Sequence, residues 1–180
     1  MERTRFVFSG SGGQGVITAA IILAEAAVLF ENLNAVQTQV YGAAARGGST
    51  RSDVIISDSE IFFPKVTQPN VLVCLTQEAY NKFSRILRPG GIMITDTRYV
   101  KTERVDAVQK ELPMYQTVMD KIGKPIVFNI CMLGAVIGLT GIIRIESVMK
   151  VLEKQISPNF IEINRQALNL GLKLSEDEQA

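Results

Sequence analysis

Apolar residues along the chain fall into short runs broken by glycine, asparagine and proline, alternating with longer stretches in which they recur at helical spacing. Phe6, Val7, Phe8 and Ser9 form one such run, stopping at Gly10, and predict a buried first strand that feeds a tight loop. A helix is expected from about Gly15. Its apolar residues, among them Val16, Ile17, Ala20, Leu23, Ala27 and Phe30, cover most of its circumference, which predicts cover on two sides. Asn32 and Asn34 supply the helix exit, and Ala35 to Gln39 reads as a second strand. Gly42 to Thr50 is small and polar apart from alanines and reads as a long loop. Val54, Ile55 and Ile56, then Ile61, Phe62 and Phe63, flank Ser57-Asp58-Ser59 and predict an antiparallel hairpin ended by Pro64. A strand over Val71 to Leu75, a helix over Gln77 to Leu87, a turn at Arg88-Pro89-Gly90-Gly91 and a strand over Ile92 to Thr95 complete a βαβ unit.

The remainder is mostly helical. Glu103 to Val108 is a weak strand candidate, and Pro113 opens a helix that ends near Gly123. Ile126 to Ile143 approaches the ~18 residues that raise the question of a membrane span. Asn129, Thr140 and the glycines inside it, and flanks without a membrane-anchor pattern, favour a buried or interface helix. Two more helices follow, with Ile145, Val148, Met149, Leu152 and Ile156 on one stripe and Phe160, Ile163, Ala167, Leu170 and Leu174 on the next. Ser175 onward is acidic and expected to fray. With no internal repeat and no linker composition, residues 1–180 are expected to form one α/β domain. Its expected architecture is a three-layer αβα, Rossmann-like sheet, mostly parallel with an antiparallel hairpin, plus C-terminal helices.

Composition removes several chemistries. The chain has 19 Lys and Arg against 18 Asp and Glu, so no overall field draws it to nucleic acid or anionic lipid. It has no histidine, which removes every Ser-His-Asp or Cys-His arrangement and the commonest general base. Two cysteines, Cys74 and Cys131, cannot by themselves complete a four-thiolate iron–sulfur site or a Cys/His zinc site. Each lies in an apolar run and reads as a buried free thiol, which fits a reducing compartment. The start, with Glu2, Arg3 and Arg5 ahead of only three apolar residues, reads as cytoplasmic and unprocessed. At 47% hydrophobic, with two helices lacking a polar face, the chain is expected to bury surface against partners.

The candidate chemistry lies in two loops. Gly10-Ser11-Gly12-Gly13-Gln14-Gly15 matches G-x-G-x-x-G between a predicted strand and a predicted helix. Glycines there admit positive φ and close backbone approach, and a helix N-terminus offers unpaired N–H groups, so an anion or phosphate is the expected guest. A tight turn that binds nothing uses the same geometry. Val36-Gln37-Thr38-Gln39, where a dinucleotide site carries an acid, has none, which argues against NAD, FAD or S-adenosylmethionine. Gly15 is followed by Val16, and no Walker lysine is present. In the second loop, if the first two strands run parallel, Arg46 beside Gly47 and Gly48 faces the glycine loop and suits a phosphate or a partner carboxylate. A solvated loop arginine remains the alternative there.

Three motifs in order, Gly10-Ser11-Gly12-Gly13-Gln14-Gly15, Tyr41-Gly42-Ala43-Ala44-Ala45-Arg46-Gly47-Gly48 and Asn129-Ile130-Cys131-Met132-Leu133-Gly134-Ala135, resemble the gamma subunit of 2-oxoacid:ferredoxin oxidoreductases over about residues 5 to 174. The resemblance implies a non-catalytic subunit of a complex whose alpha and beta subunits carry thiamine diphosphate, with iron–sulfur clusters in partner chains, a ferredoxin-like delta subunit among them. It implies the oxidative decarboxylation of a 2-oxoacid, with 2-oxoglutarate the type suggested, to an acyl-coenzyme A. Carried over, it makes Gly10, Ser11, Gly12, Gly13, Gln14 and Gly15 the signature loop, Tyr41, Arg46, Gly47 and Gly48 its second element, and coenzyme A the candidate ligand of both. It puts Asn129 and Leu133 on an interface helix. The competing reading is a free-standing nucleotide-binding or sensor domain, and a methyltransferase is remote for want of an acid near Gln37.

Overall fold

Phe6, Val7 and Phe8 are fully buried because their strand has a neighbour on each side and helices on both faces. The computed structural model describes residues 3–40 and 49–177. In chain order it contains β1 (Thr4–Ser11), α1 (Val16–Phe30), β2 (Asn34–Val40), β3 (Ser49–Ser57), β4 (Val71–Cys74) and α2 (Gln77–Phe83), which runs into a 3-10 turn at Ser84–Ile86. There follow β5 (Gly91–Asp96), β6 (Ala107–Leu112), α3 (Met114–Lys121), α4 (Phe128–Thr140), α5 (Ile145–Gln155) and α6 (Pro158–Asp177). The six strands lie in the order β2-β3-β1-β4-β5-β6. Among the described residues all run the same way except β3, which is antiparallel to both β1 and β2. The expected αβα architecture is therefore the one observed, with three parallel and two antiparallel pairings.

The antiparallel part differs from the hairpin read over Val54–Ile56 and Ile61–Phe63. β3 ends at Ser57, and its ladders are made with β2 and β1. Residues 61–63 form no strand, and Phe62 and Phe63 are 86% and 63% exposed. Strand-forming side chains do not make a strand where both flanks of the candidate partner are already paired. The C-terminal end also differs: α6 continues to Asp177 and Ser175 is fully buried, so the fraying expected from Ser175 does not begin there.

One face of the sheet carries a single large apolar cluster. Phe6, Phe8, Val54, Ile56, Val73 and Ile94 point to it and pack under α1, α3, α4, α5 and α6. The opposite face is thinner. Val7, Ile55, Leu72, Cys74 and Met93 meet Ala79, Tyr80 and Phe83 of α2, with Val66 and Val100 at the margins. Alternation along each strand explains this split, since neighbouring side chains point to opposite faces.

The apolar helix α4, expected to be buried or at an interface, is largely covered within the chain. Phe128 through Ile137 are all buried, Asn129 and Leu133 included, because α6 lies directly along it. A Cβ on Gly134 would land on the Leu168 carbonyl, and one on Gly171 on the Cys131 carbonyl. Glycines at the crossing let the two backbones approach until a helix that is apolar all round is covered inside the chain.

Candidate functional site

In an open α/β sheet the crevice for ligands opens where neighbouring crossovers leave in opposite directions. Here β1 leads through α1 to β2 on one side and β4 leads through α2 to β5 on the other, so the crevice lies between the carboxyl ends of β1 and β4. The glycine loop closes it. Gln14 Oε1 accepts from the Ser11 N–H at 2.8 Å and Gln14 Nε2 donates to the Leu75 carbonyl at 3.1 Å. Leu75 N in turn donates to Ser9 O at 2.9 Å. One carboxamide thus stitches β1 to the end of β4, and an N–H read as free for a ligand is occupied by the protein.

The loop's glycines have different reasons. Gly13 and Gly15 have φ of 90° and 72°, a region that side chains other than glycine seldom enter. Gly10 needs its hydrogen because a Cβ would strike Gln14 Oε1, Val16 and Leu75. Gly15 carries the second constraint that a Cβ would meet the Asn129 carboxamide, whose Nδ2 donates to Gly15 O at 3.3 Å. Gly12 and Gly13 face open space. Gly15 is the N-cap of α1, and α1 has no side-chain cap and no acid in its first turn. Its leading N–H groups, which a helix cannot satisfy itself, stay available.

That available end opens on a cavity of about 490 Å³ on the thick face. Gly13, Gln14, Gly15, Thr18 and Ile22 form one wall; Ile126, Val127, Asn129 and Ile130 a second; Gln155, Ile156, Phe160, Ile163 and Asn164 the third. Asn129, expected on an interface helix, is a buried link between the glycine loop and α4. Four carboxamides project among aliphatic side chains, and no lining residue is ionisable. No local sequence signal marks this space, because the glycine-loop wall lies more than a hundred residues before the other two.

Tyr41, Arg46, Gly47 and Gly48 lie outside the described residues. The condition attached to them is met: β1 and β2 run parallel, and β2 ends and β3 begins at the edge where β1 ends. Among described cations at that edge, Arg51 is committed to Asp53 at 2.6 and 2.8 Å and to the Val66 carbonyl at 2.9 Å. Lys82 donates to Ser49 Oγ at 3.2 Å and was not singled out in the sequence, since nothing there reveals that α2 approaches β3.

Asp96 at the end of β5 is fully buried and accepts from the N–H of Arg98 at 2.9 Å and of Tyr115 at 2.7 Å, capping α3. Burial pushes its carboxyl above the usual range against those hydrogen bonds. Cys74 and Cys131 are free and buried, and burial pushes each thiol up to about 12, so neither is a nucleophile at neutral pH. Among the described residues no group of three or more Cys, Asp or Glu side chains is placed to hold a metal ion, and no helix is long and apolar enough to cross a membrane.

Comparison with known proteins bears directly on this arrangement. The model of the family "Pyruvate ferredoxin/flavodoxin oxidoreductase" matches residues 5–174. The 2-oxoglutarate synthase subunit KorC of Methanocaldococcus jannaschii is 41% identical, over 97% of this chain and 95% of that protein. The pyruvate/ketoisovalerate oxidoreductases common subunit gamma of Thermococcus litoralis is 32% identical over 89% of this chain and 90% of its own length. The crystal structure of a keto/oxoacid ferredoxin oxidoreductase gamma subunit from Geobacter sulfurreducens superposes with a TM-score of 0.90 at 37% identity, covering 98% of each chain.

Proposed function

Because the chain belongs to the pyruvate ferredoxin/flavodoxin oxidoreductase family, we propose that it is the gamma subunit of a 2-oxoglutarate:ferredoxin oxidoreductase. In this reading it is a cytoplasmic, single-domain subunit that does not itself carry the redox chemistry. The observation that supports it most is the near end-to-end match to a 2-oxoglutarate synthase subunit of the same size, at 41% identity. Thiamine diphosphate belongs to the alpha and beta subunits, and iron–sulfur clusters to partner chains, a ferredoxin-like delta subunit among them. The residues of this chain accord with that division, since it has no histidine and both thiols are buried.

Its own contribution in this reading is to hold coenzyme A, the ligand whose thiol takes the acyl group when bound. Gly12 and Gly13, which face open space, and the uncapped first turn of α1 offer backbone N–H groups, with Arg46, Gly47 and Gly48 as the second element. Gly10, Gln14 and Gly15 build the loop and leave its outward face to the ligand. The competing reading, a free-standing nucleotide sensor, needs the crevice between β1 and β4, which the Gln14 carboxamide bridges.

The test is co-expression with the neighbouring reading frames. Two larger chains are expected to co-purify, and 2-oxoglutarate-dependent reduction of ferredoxin is expected only in the assembly. Turnover by this chain alone, or a chain that purifies by itself under all conditions, overturns the reading.

A further inference from the structure

The two edges of the sheet are guarded differently. β6 carries Lys110 and Glu111 and follows Asp106, the kind of charge that keeps an open edge from pairing with another chain. β2 has no such guard. Asn34–Val40 contains no charged residue and no proline, and its ladder to β3 runs without a bulge. Among the described residues no strand pairs with its outer side. We propose that this edge joins a second copy of the chain, β2 against β2 and antiparallel about a two-fold axis, to make one continuous sheet.

The surface beside the edge is apolar. Ile21 and Val28 share one face of α1 and belong to neither apolar cluster of the described fold. Val28 lines a groove along β2 with Ala35, Val36, Ile61 and Phe62. The exposed parts of Val28, Phe62 and Phe63 amount to on the order of 300 Å², a patch of the size that on a monomer marks a contact. Because α1 packs on β2 and β3, joining two β2 edges brings the two α1 helices side by side.

Charge identifies the occupant. A foreign partner chosen electrostatically needs a charge to read, and β2 offers none. In a two-fold contact each group near the axis meets its own copy, so charge there would repel. Gln37 and Thr38, at the middle of β2, are neutral. Glu60, the ionisable residue in the groove, lies beside Asn34 at the start of the strand. An antiparallel copy sets the end of its strand there, which keeps Glu60 from its counterpart. The same operation lays Val28, near the end of α1, toward Ile21 of the second copy. The main-chain donors and acceptors match as well, since an inverted copy of a strand edge presents the groups that edge lacks.

The full-length chain, purified without partners, is followed by sedimentation velocity across concentration. A species of twice the 19.8 kDa chain mass is expected. Val28→Lys combined with Phe62→Ser, both at exposed positions, is expected to weaken self-association by about tenfold or more without lowering the melting temperature. A short bis-maleimide reads the edge directly and stands even if that double variant misfolds. Cys74 and Cys131 are buried, so Thr38→Cys in β2 and Val108→Cys in β6 each supply the sole accessible thiol. Thr38→Cys is expected to link two copies, and Val108→Cys to leave them separate. A monomer at every concentration overturns the inference, as does linkage through Val108→Cys and not through Thr38→Cys. So does Thr38→Cys linking only to a larger chain in the co-expressed assembly, which would give the edge to a partner subunit. Neither a ligand nor turnover enters these measurements, so their failure leaves the subunit reading standing.

Discussion

The two faces of the sheet are held by different means. On the thick face five helices share one continuous apolar cluster, and the close approach of α4 and α6 depends on Gly134 and Gly171, where backbone meets backbone. On the thin face a seven-residue helix covers a small cluster, and polar ties make up the difference. Arg51 bonds Asp53 and the Val66 carbonyl and lies over the Phe83 ring, and Lys82 reaches Ser49. Where the covering layer is thick, shape carries the stability; where it is thin, charge does. The cavity follows from the same difference, since only the thick face has enough helices to wall off a space.

Four substitutions test that contrast. The largest loss is expected from Gly171→Val, which drives a branched side chain into the Cys131 carbonyl. Overpacking of this kind costs about 3 kcal/mol or more, so denaturant unfolding should show a severely destabilised or unfolded chain. Gly138→Ala, where the nearest obstacle is the Ser175 side chain rather than backbone, should be milder. Next comes Arg51→Leu on the thin face. It leaves Asp53, whose side chain is 8% exposed, without its partner, and breaking such a pair costs about 3 kcal/mol. A loss nearer zero would show that the thin face does not lean on its charges.

The smallest effect is expected from Glu31→Gln on the thick face. Glu31 accepts from Ser147 Oγ and from the N–H of Arg144 at the start of α5. Burial alone would raise its carboxyl, but the Ser147 and Arg144 hydrogen bonds outweigh it and hold it below its ordinary 4.5. A depressed value means stability present above pH 4.5 and lost as pH falls through the folded value. The substitution should therefore cost about 1 kcal/mol near pH 7 and progressively less below pH 4.5. Asp96, raised by burial, slopes the other way and is unaffected by the change, so comparing the two proteins by urea unfolding across pH isolates Glu31. A difference that stays constant with pH would mean the tie is not electrostatic.

Much of the fold was legible because period and punctuation agree. The run Phe6–Phe8, the glycines after it and the apolar helix from Val16 are local signals, and β1, the loop and α1 follow from them directly. The βαβ unit from Val71 to Thr95 was legible for the same reason. What depended on distant partners was not. Ile61–Phe63 have strand-forming side chains but no strand to pair with, because β3 is already flanked by β2 and β1. The all-round apolarity of α4 suggested a buried or interface helix without saying what covers it; Gly134 and Gly138, four apart, with Gly171 opposite, were the signal that could have pointed to α6. At the candidate site the sequence marked the loop but not the role of Gln14, whose partner Leu75 lies 61 residues away.

The α4–α6 crossing also sets an order of events during synthesis. Until the ribosome has delivered residues as far as about Ser175, the 13-residue α4 has no second wall, and a nascent chain stopped short of that point presents a bare oily cylinder. A truncation that removes α6 therefore strips the cover from α4 and leaves apolar surface open to aggregation.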